Sequence, residues 1–253
     1  DWSSDVCSSD LGDRVLAQQL AAAASARVGG LRLAVVGDIV GAAAAGLAEG
    51  AGALVWSGTG SFAIARATDG ALHRTGGRGY LLGDQGSGYD LVRRAAAAAM
   101  LALDGLGEST ALAQRLTEAL SLPSPARLGA ALQQRSTAEV AALLPVVLDC
   151  AERGDFVAQQ VLQDGADALA MVANAAVRQA ELDWRDLPVS FGGGVLTAVP
   201  ILQELLAERL RSFGAQAPRF LSADAAARGA AELARAWHQA EQPLCRWVTD
   251  GAL

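Results

Sequence analysis

A hydroxyl-bearing glycine turn, Gly58-Thr59-Gly60-Ser61, comes directly after the apolar run Ala53-Leu54-Val55-Trp56-Ser57. A second glycine-rich stretch, Gly76–Tyr89, carries six glycines around a single carboxylate, Asp84. A turn of the first kind presents backbone N–H groups and Thr/Ser hydroxyls to phosphate oxygens. Glycines of the second kind allow close approach of another backbone or a ligand. The first turn also reads as a hairpin connection. Phe62–Ala67 fits the return strand, and Asp69-Gly70 turns the chain into a third strand, Ala71–Arg74. The two glycine segments together read as a cleft for a nucleotide and a small molecule, with the carboxylate inside it.

A second carboxylate stands upstream. Leu31–Val36 reads as a strand and Ile39–Ala48 as a small-residue helix, which places Asp38 at the carboxyl end of a strand. Open α/β sheets put ligand-binding groups there. The same position suits a helix N-cap, and both readings stay open.

Composition removes whole classes of chemistry. The basic residues of this 253-residue chain are all arginine, with no lysine. That excludes the Gly-Lys-Ser/Thr phosphate loop, the protein-kinase ATP lysine and Schiff-base catalysis. Phosphates must then be handled by backbone amides, hydroxyls, arginine and a metal. The formal charge of −7 argues against a nucleic-acid partner. No stretch reaches the apolar length of a membrane span and no signal peptide stands out, so a cytoplasmic location is expected. Cys7, Cys150 and Cys245 lack metal or redox spacing, and His73 and His238 fall far apart, on an expected strand and an expected helix.

Residues 1–11 are Ser/Asp-rich, unlike the Ala/Leu/Arg-rich remainder of the chain, and resemble one reading frame of a sequencing adapter. They are set apart from the fold, with the expectation that the natural protein begins upstream. A helix is expected over 12–26, strands near 53–57, 62–67 and 71–75, and a helix over 89–103. Further helices fill 104–150, and a long helix spans about 156–180. A strand at Leu187–Phe191 ends in Gly192-Gly193-Gly194. A helix near 198–213, a strand at 219–221 and a last helix near 223–238 complete the order. The order β-β-β-α then α-β-α-β-α is that of a ribonuclease-H-like α/β domain, with 104–150 as a helical insertion.

These residues resemble a family: sugar kinases of the N-acetylglucosamine kinase type, grouped with the BadF/BadG/BcrA/BcrD ATPases in the actin-like, hexokinase-like superfamily. The resemblance rests on Asp38 with its helix, Gly58–Ser61, Gly76–Tyr89, Gly192–Gly194 and Gly229-Ala230. It implies two lobes with ATP and sugar between them. Residues 12–50 would be a remnant of the N-terminal lobe, and 51–253 the C-terminal lobe. The family's first phosphate hairpin is missing, so this chain by itself is expected to be inactive.

The resemblance makes Asp38 the general base and a sugar contact. It assigns Gly58, Thr59, Gly60, Ser61, Gly165, Gly193 and Gly194 to ATP, and Arg78 and Asp84 to the sugar. Mg2+ would accompany the ATP, with no protein residue assigned as its ligand. The acceptor would be the 6-hydroxyl of an amino sugar, N-acetylglucosamine or glucosamine. Arg78 stands where many relatives carry tryptophan, and Gln85 replaces their usual glutamate. Relatives are often homodimers, which leaves a homodimer open here. Two other readings remain open: an activator ATPase of a dehydratase or reductase, and a non-catalytic sugar-binding regulator.

Overall fold

A computed structural model describes residue 26 and residues 38–47, 50–222 and 224–239. The adapter-like segment, the strand expected at 31–36, Cys7, Cys245 and all but the last residue of the helix expected at 12–26 lie outside them. After α1 (Asp38–Gly46) come three strands, β1 (Gly52–Ser57), β2 (Ser61–Arg66) and β3 (Leu72–Gly76), then α2 (Gly88–Leu103). A helical stretch is next, with α3 (Leu112–Ala119), a 3-10 turn at Pro125–Arg127, α4 (Leu128–Gln133), α5 (Thr137–Ala141) and α6 (Leu144–Glu152). The chain continues through α7 (Phe156–Gln179), β4 (Val189–Gly192), α8 (Gly194–Ala198), α9 (Pro200–Ser212), β5 (Arg219–Phe220) and α10 (Ala225–Gln239).

The strands form one sheet in the order β3-β2-β1-β4-β5. β1 pairs antiparallel with β2 and β2 with β3, whereas β4 runs parallel to both β1 and β5. This is the expected α/β, ribonuclease-H-like order: a meander extended on its β1 edge by strands that helices return to the sheet.

Side chains on β1 and β2 alternate between two cores, as the two-residue period of a strand requires. Ala53, Val55, Ala63 and Ala65 enter a large core with α2, α6, α7 and α9. Leu54, Phe62 and Ile64 enter a smaller one with Ile39, Ala42 and Ala43 of α1 and Ala225 of α10. Helices therefore cover both faces, which is why the β1 run is uniformly apolar. Residues 38–46, which the sequence reading gave to the N-terminal lobe, pack here on the second face of the sheet.

The strongest helix is α7, whose buried residues recur at helical spacing from Ala158 to Val177. Its N-cap, Asp155, accepts from Ala158 N at 3.0 Å, and also from Thr110 Oγ1 at 2.8 Å and Ala111 N at 2.7 Å. One carboxylate thus ties the start of α3 to the start of α7.

The helix expected near 198–213 is α9, which begins at Pro200, and the short α8 ahead of it is an addition to the expected order. Pro200 donates no N–H and disfavours helical geometry in the residue before it. Val199 accordingly sits at φ −118, ψ 88, separating α8 from α9. The strand expected at 187–191 begins later, at Val189, although the Pro188 carbonyl still accepts from Ala53 N at 2.9 Å. Among the described residues, no helix is long and apolar enough to cross a membrane.

Candidate active site

The β1–β2 turn is held shut by the pairing of Ser57 with Ser61 and by Gly58 N donating to Gly60 O at 2.9 Å. That leaves Thr59 exposed at the tip. The flanking serines are buried, and a buried hydroxyl needs a partner. Ser57 Oγ donates to Gly86 O at 2.9 Å and Ser61 Oγ to Gln85 O at 2.7 Å. Gly88 N donates to Gly58 O at 2.8 Å. Two glycine segments that are distant in sequence become a single wall through these bonds.

Asp84 stands in that wall with a left-handed backbone, φ 57. Its carboxylate hangs over the turn: a Cβ added to Gly60 would lie 3.1 Å from Asp84 Oδ2. Backbone N–H groups of Ser61 and Gly79 donate to it. Burial pushes its carboxyl above the usual range. The Asp90 charge adds to the rise, and the two N–H bonds and Arg74 oppose it. Gly83 N donates to Gly79 O at 2.8 Å, folding the loop so that a Cβ on Gly83 would meet Arg78 N at 2.9 Å. The Arg78 side chain is exposed on that loop.

Asp90, at 5% exposure, anchors the same loop and escaped the sequence reading. Its Oδ2 accepts Gly86 N–H at 2.9 Å, while Arg93 and Arg94 donate to it at 2.7 Å each. Burial alone would raise its pKa, but these donors outweigh burial and hold the carboxyl below the usual range. The N-cap Ser87 accepts from Asp90 N at 3.1 Å, a capping pattern that Ser87-x-x-Asp90 already displays in the sequence.

The third glycine segment arrives from the neighbouring strand. Gly192 ends β4, and Gly193 turns at φ +88 with its Cα pressed on the Ser57 carbonyl. Gly194 N lies 3.6 Å from where a Gly58 Cβ would stand. Gly58–Ser61, Asp84 and Gly193-Gly194 therefore meet at one end of β1 and β4. Gly165 takes a different place, buried in α7. A Cβ on it would collide with Leu91 and come 3.7 Å from Gly86 Cα, so it packs beneath the wall. Asp38 is the first residue of α1. The α1 helix is fixed to the sheet by Ser190 Oγ, which donates to Gly46 O at 2.6 Å.

The raised Asp84 carboxyl carries a stability prediction. Its charged form is disfavoured in the fold, so Asp84 costs stability as pH rises through its folded-state value. Asp84→Asn is expected to melt higher than the parent at pH 8, with a smaller gap at pH 5, read by calorimetry. A gap that widens at pH 5 would contradict the buried-carboxylate account.

The sequence profile of the BadF/BadG/BcrA/BcrD ATPase family matches residues 12–234. The N-acetylmuramic acid/N-acetylglucosamine kinase of Clostridium acetobutylicum is 31% identical over 175 residues, covering 68% of this chain and 57% of that protein. The N-acetyl-D-glucosamine kinase of Dictyostelium discoideum is 31% identical over 163 residues, covering 63% and 51%. The chain thus spans little more than half the length of these curated relatives. A crystal structure from Chromobacterium violaceum, provisionally named an N-acetylglucosamine kinase, superposes with a TM-score of 0.66 at 29% identity, over 84% of this chain and 71% of that one. The fold is that of the actin-like, hexokinase-like ATPases, and the chain belongs to the BadF/BadG/BcrA/BcrD ATPase family.

Proposed function

We propose that this chain forms the nucleotide- and sugar-binding lobe of a kinase that transfers phosphate from ATP to the 6-hydroxyl of an amino sugar, N-acetylglucosamine or glucosamine. The observation that carries the reading is the convergence of Gly58–Ser61, Asp84 and Gly193-Gly194 at one end of adjacent strands. Exposed Thr59 and the backbone of Gly58–Ser61 serve the phosphates, and Gly193-Gly194 the adenosine. Asp84, held by two N–H groups with an oxygen over the turn, accepts from sugar hydroxyls. Arg78 flanks the sugar, and Asp38 takes the proton of the attacking hydroxyl. Gly165 supports the wall from below. Residues 12–50 are the remnant of the first lobe in this reading, with 38–46 packed against the sheet of the second, and 104–150 are the helical insertion.

Magnesium would neutralise the phosphate charge in such a reaction. Among the described residues no three His, Cys, Asp or Glu side chains cluster to cage a metal. Mg2+ of this kind would arrive on the phosphates and keep most of its waters. The activator ATPases that this fold resembles hold an iron–sulfur cluster between subunits on two closely placed cysteines per chain. Cys150, buried in α6 at 2% exposure, does not offer such a surface ligand.

A coupled assay of ATP conversion to ADP over a panel of amino sugars, on the protein extended upstream to include the first lobe, tests the reading. Turnover that requires one of the sugars is the expected result. A folded protein that binds ATP but turns over none of them would overturn it. Thr59→Ala should weaken ATP use about tenfold while leaving sugar affinity within twofold. The reverse pattern would remove Gly58–Ser61 from the phosphates.

A further inference from the structure

Trp56 occupies the penultimate position of β1, and its ring lies where the glycine segments meet. The indole stacks on Phe62, with centroids 6.0 Å apart and planes 10° apart. Its six-membered edge covers Gly192: a Cβ there would stand 2.6 Å from Trp56 Cε3. The indole nitrogen reaches the junction itself. It lies 2.9 Å from the Cβ position of Gly193 and 3.8 Å from that of Gly58. Nε1 thus borders Gly58 and Gly193, and the stack on Phe62 and Gly192 holds the ring to one orientation.

The Trp56 side chain is half-buried. The indole N–H is a donor only. A fixed, partly desolvated donor gains most from an anionic oxygen, whose charge-assisted hydrogen bond is about twice as strong as a neutral one. We propose that the Trp56 indole N–H donates a hydrogen bond to an oxygen of the nucleotide's phosphate chain, between Gly58 and Gly193. The assignment rests on the nucleotide reading of this junction. Phosphate is favoured over ribose because the nitrogen borders Gly58, the first residue of the turn that faces the phosphates.

Trp56→Phe keeps an aromatic ring against Phe62 and removes the donor. Titration calorimetry with ATP, inorganic tripolyphosphate and adenosine separates the outcomes. Binding of ATP and tripolyphosphate is expected to weaken roughly tenfold in the variant, with adenosine within twofold. In parallel, the 15N-labelled indole signal that disappears in Trp56→Phe, or in Trp56→Tyr if the first variant does not fold, should shift in the parent protein on adding tripolyphosphate and not adenosine. Unchanged ATP affinity in a folded variant, or a still indole signal, would overturn the assignment and leave the nucleotide reading standing. An equal loss for adenosine would move the contact to the nucleoside and overturn it too. A parent protein that binds neither ATP nor tripolyphosphate would sink the nucleotide reading along with it.

Discussion

In the protein extended upstream to include the first lobe, Asp38→Asn is expected to reduce phosphoryl transfer to the sugar by roughly 100-fold or more while leaving ATP affinity within twofold. The amide has the shape of the carboxylate but cannot accept the hydroxyl proton as the sugar oxygen attacks. Asp38 opens α1, and α1 is bound to the sheet on which the glycine wall is built, through Ser190 Oγ and the contacts of Ala42 and Ala43 with the smaller core. If Asp38 has the proposed base role, the loss should fall on turnover. Single-turnover rates and ATP titration on the same samples check this. Transfer within tenfold of the parent would remove Asp38 from the base role, and a comparable loss of ATP binding would make it a binding residue.

Gly193→Ala is expected to cost about 3 kcal/mol or more, since a left-handed backbone penalises any Cβ and this one collides with backbone. At φ +88 the new methyl group would overlap the Ser57 carbonyl and press on the Trp56 indole. For a chain of this size that corresponds to a melting point lower by about 6–12 °C, with nucleotide binding lost as the β1 and β4 ends are forced apart. Gly194→Ala provides the contrast. Nothing stands within 4 Å of a Cβ at Gly194, so the variant should melt with the parent. Adjacent glycines in one motif would then separate into a position demanded by the fold and a position free for the ligand. Equal melting of both variants with the parent would contradict the close approach of β4 to Ser57.

Much of the fold is legible because each element carries its own period and stop signal. Ala53–Trp56 is an unbroken apolar run, which marks a strand, and the two cores on either side cover both its faces. The long α7 is legible from alanine and leucine at helical spacing closed by Asp155. The short α8 is hidden, because a helix of 5 residues directly after a glycine turn is too short to show a period of its own. Asp84 stands out as the one carboxylate among six glycines. Asp90 does not, because an acid in the first turn of a helix looks like a cap until burial and the two arginines show how much rests on it.

Sequence alone determined the elements, their order, the glycine segments and the exclusion of lysine chemistry, since turn preference, period and residue type are local properties. Only the tertiary structure decided what those segments do to one another. Ser57 and Ser61 reach across 29 and 24 residues to the carbonyls beside Asp84, and their hydroxyls select those partners because a buried donor must be satisfied by whatever acceptor the fold delivers. Gly165 and Gly193 look alike as letters, yet one packs a helix under the wall and the other sets the distance between two strand ends. Trp56 reads as one more apolar strand residue, and only the pairing of β1 with β4 carries its nitrogen to the junction. Long-range pairing sets those distances, and no local preference encodes them.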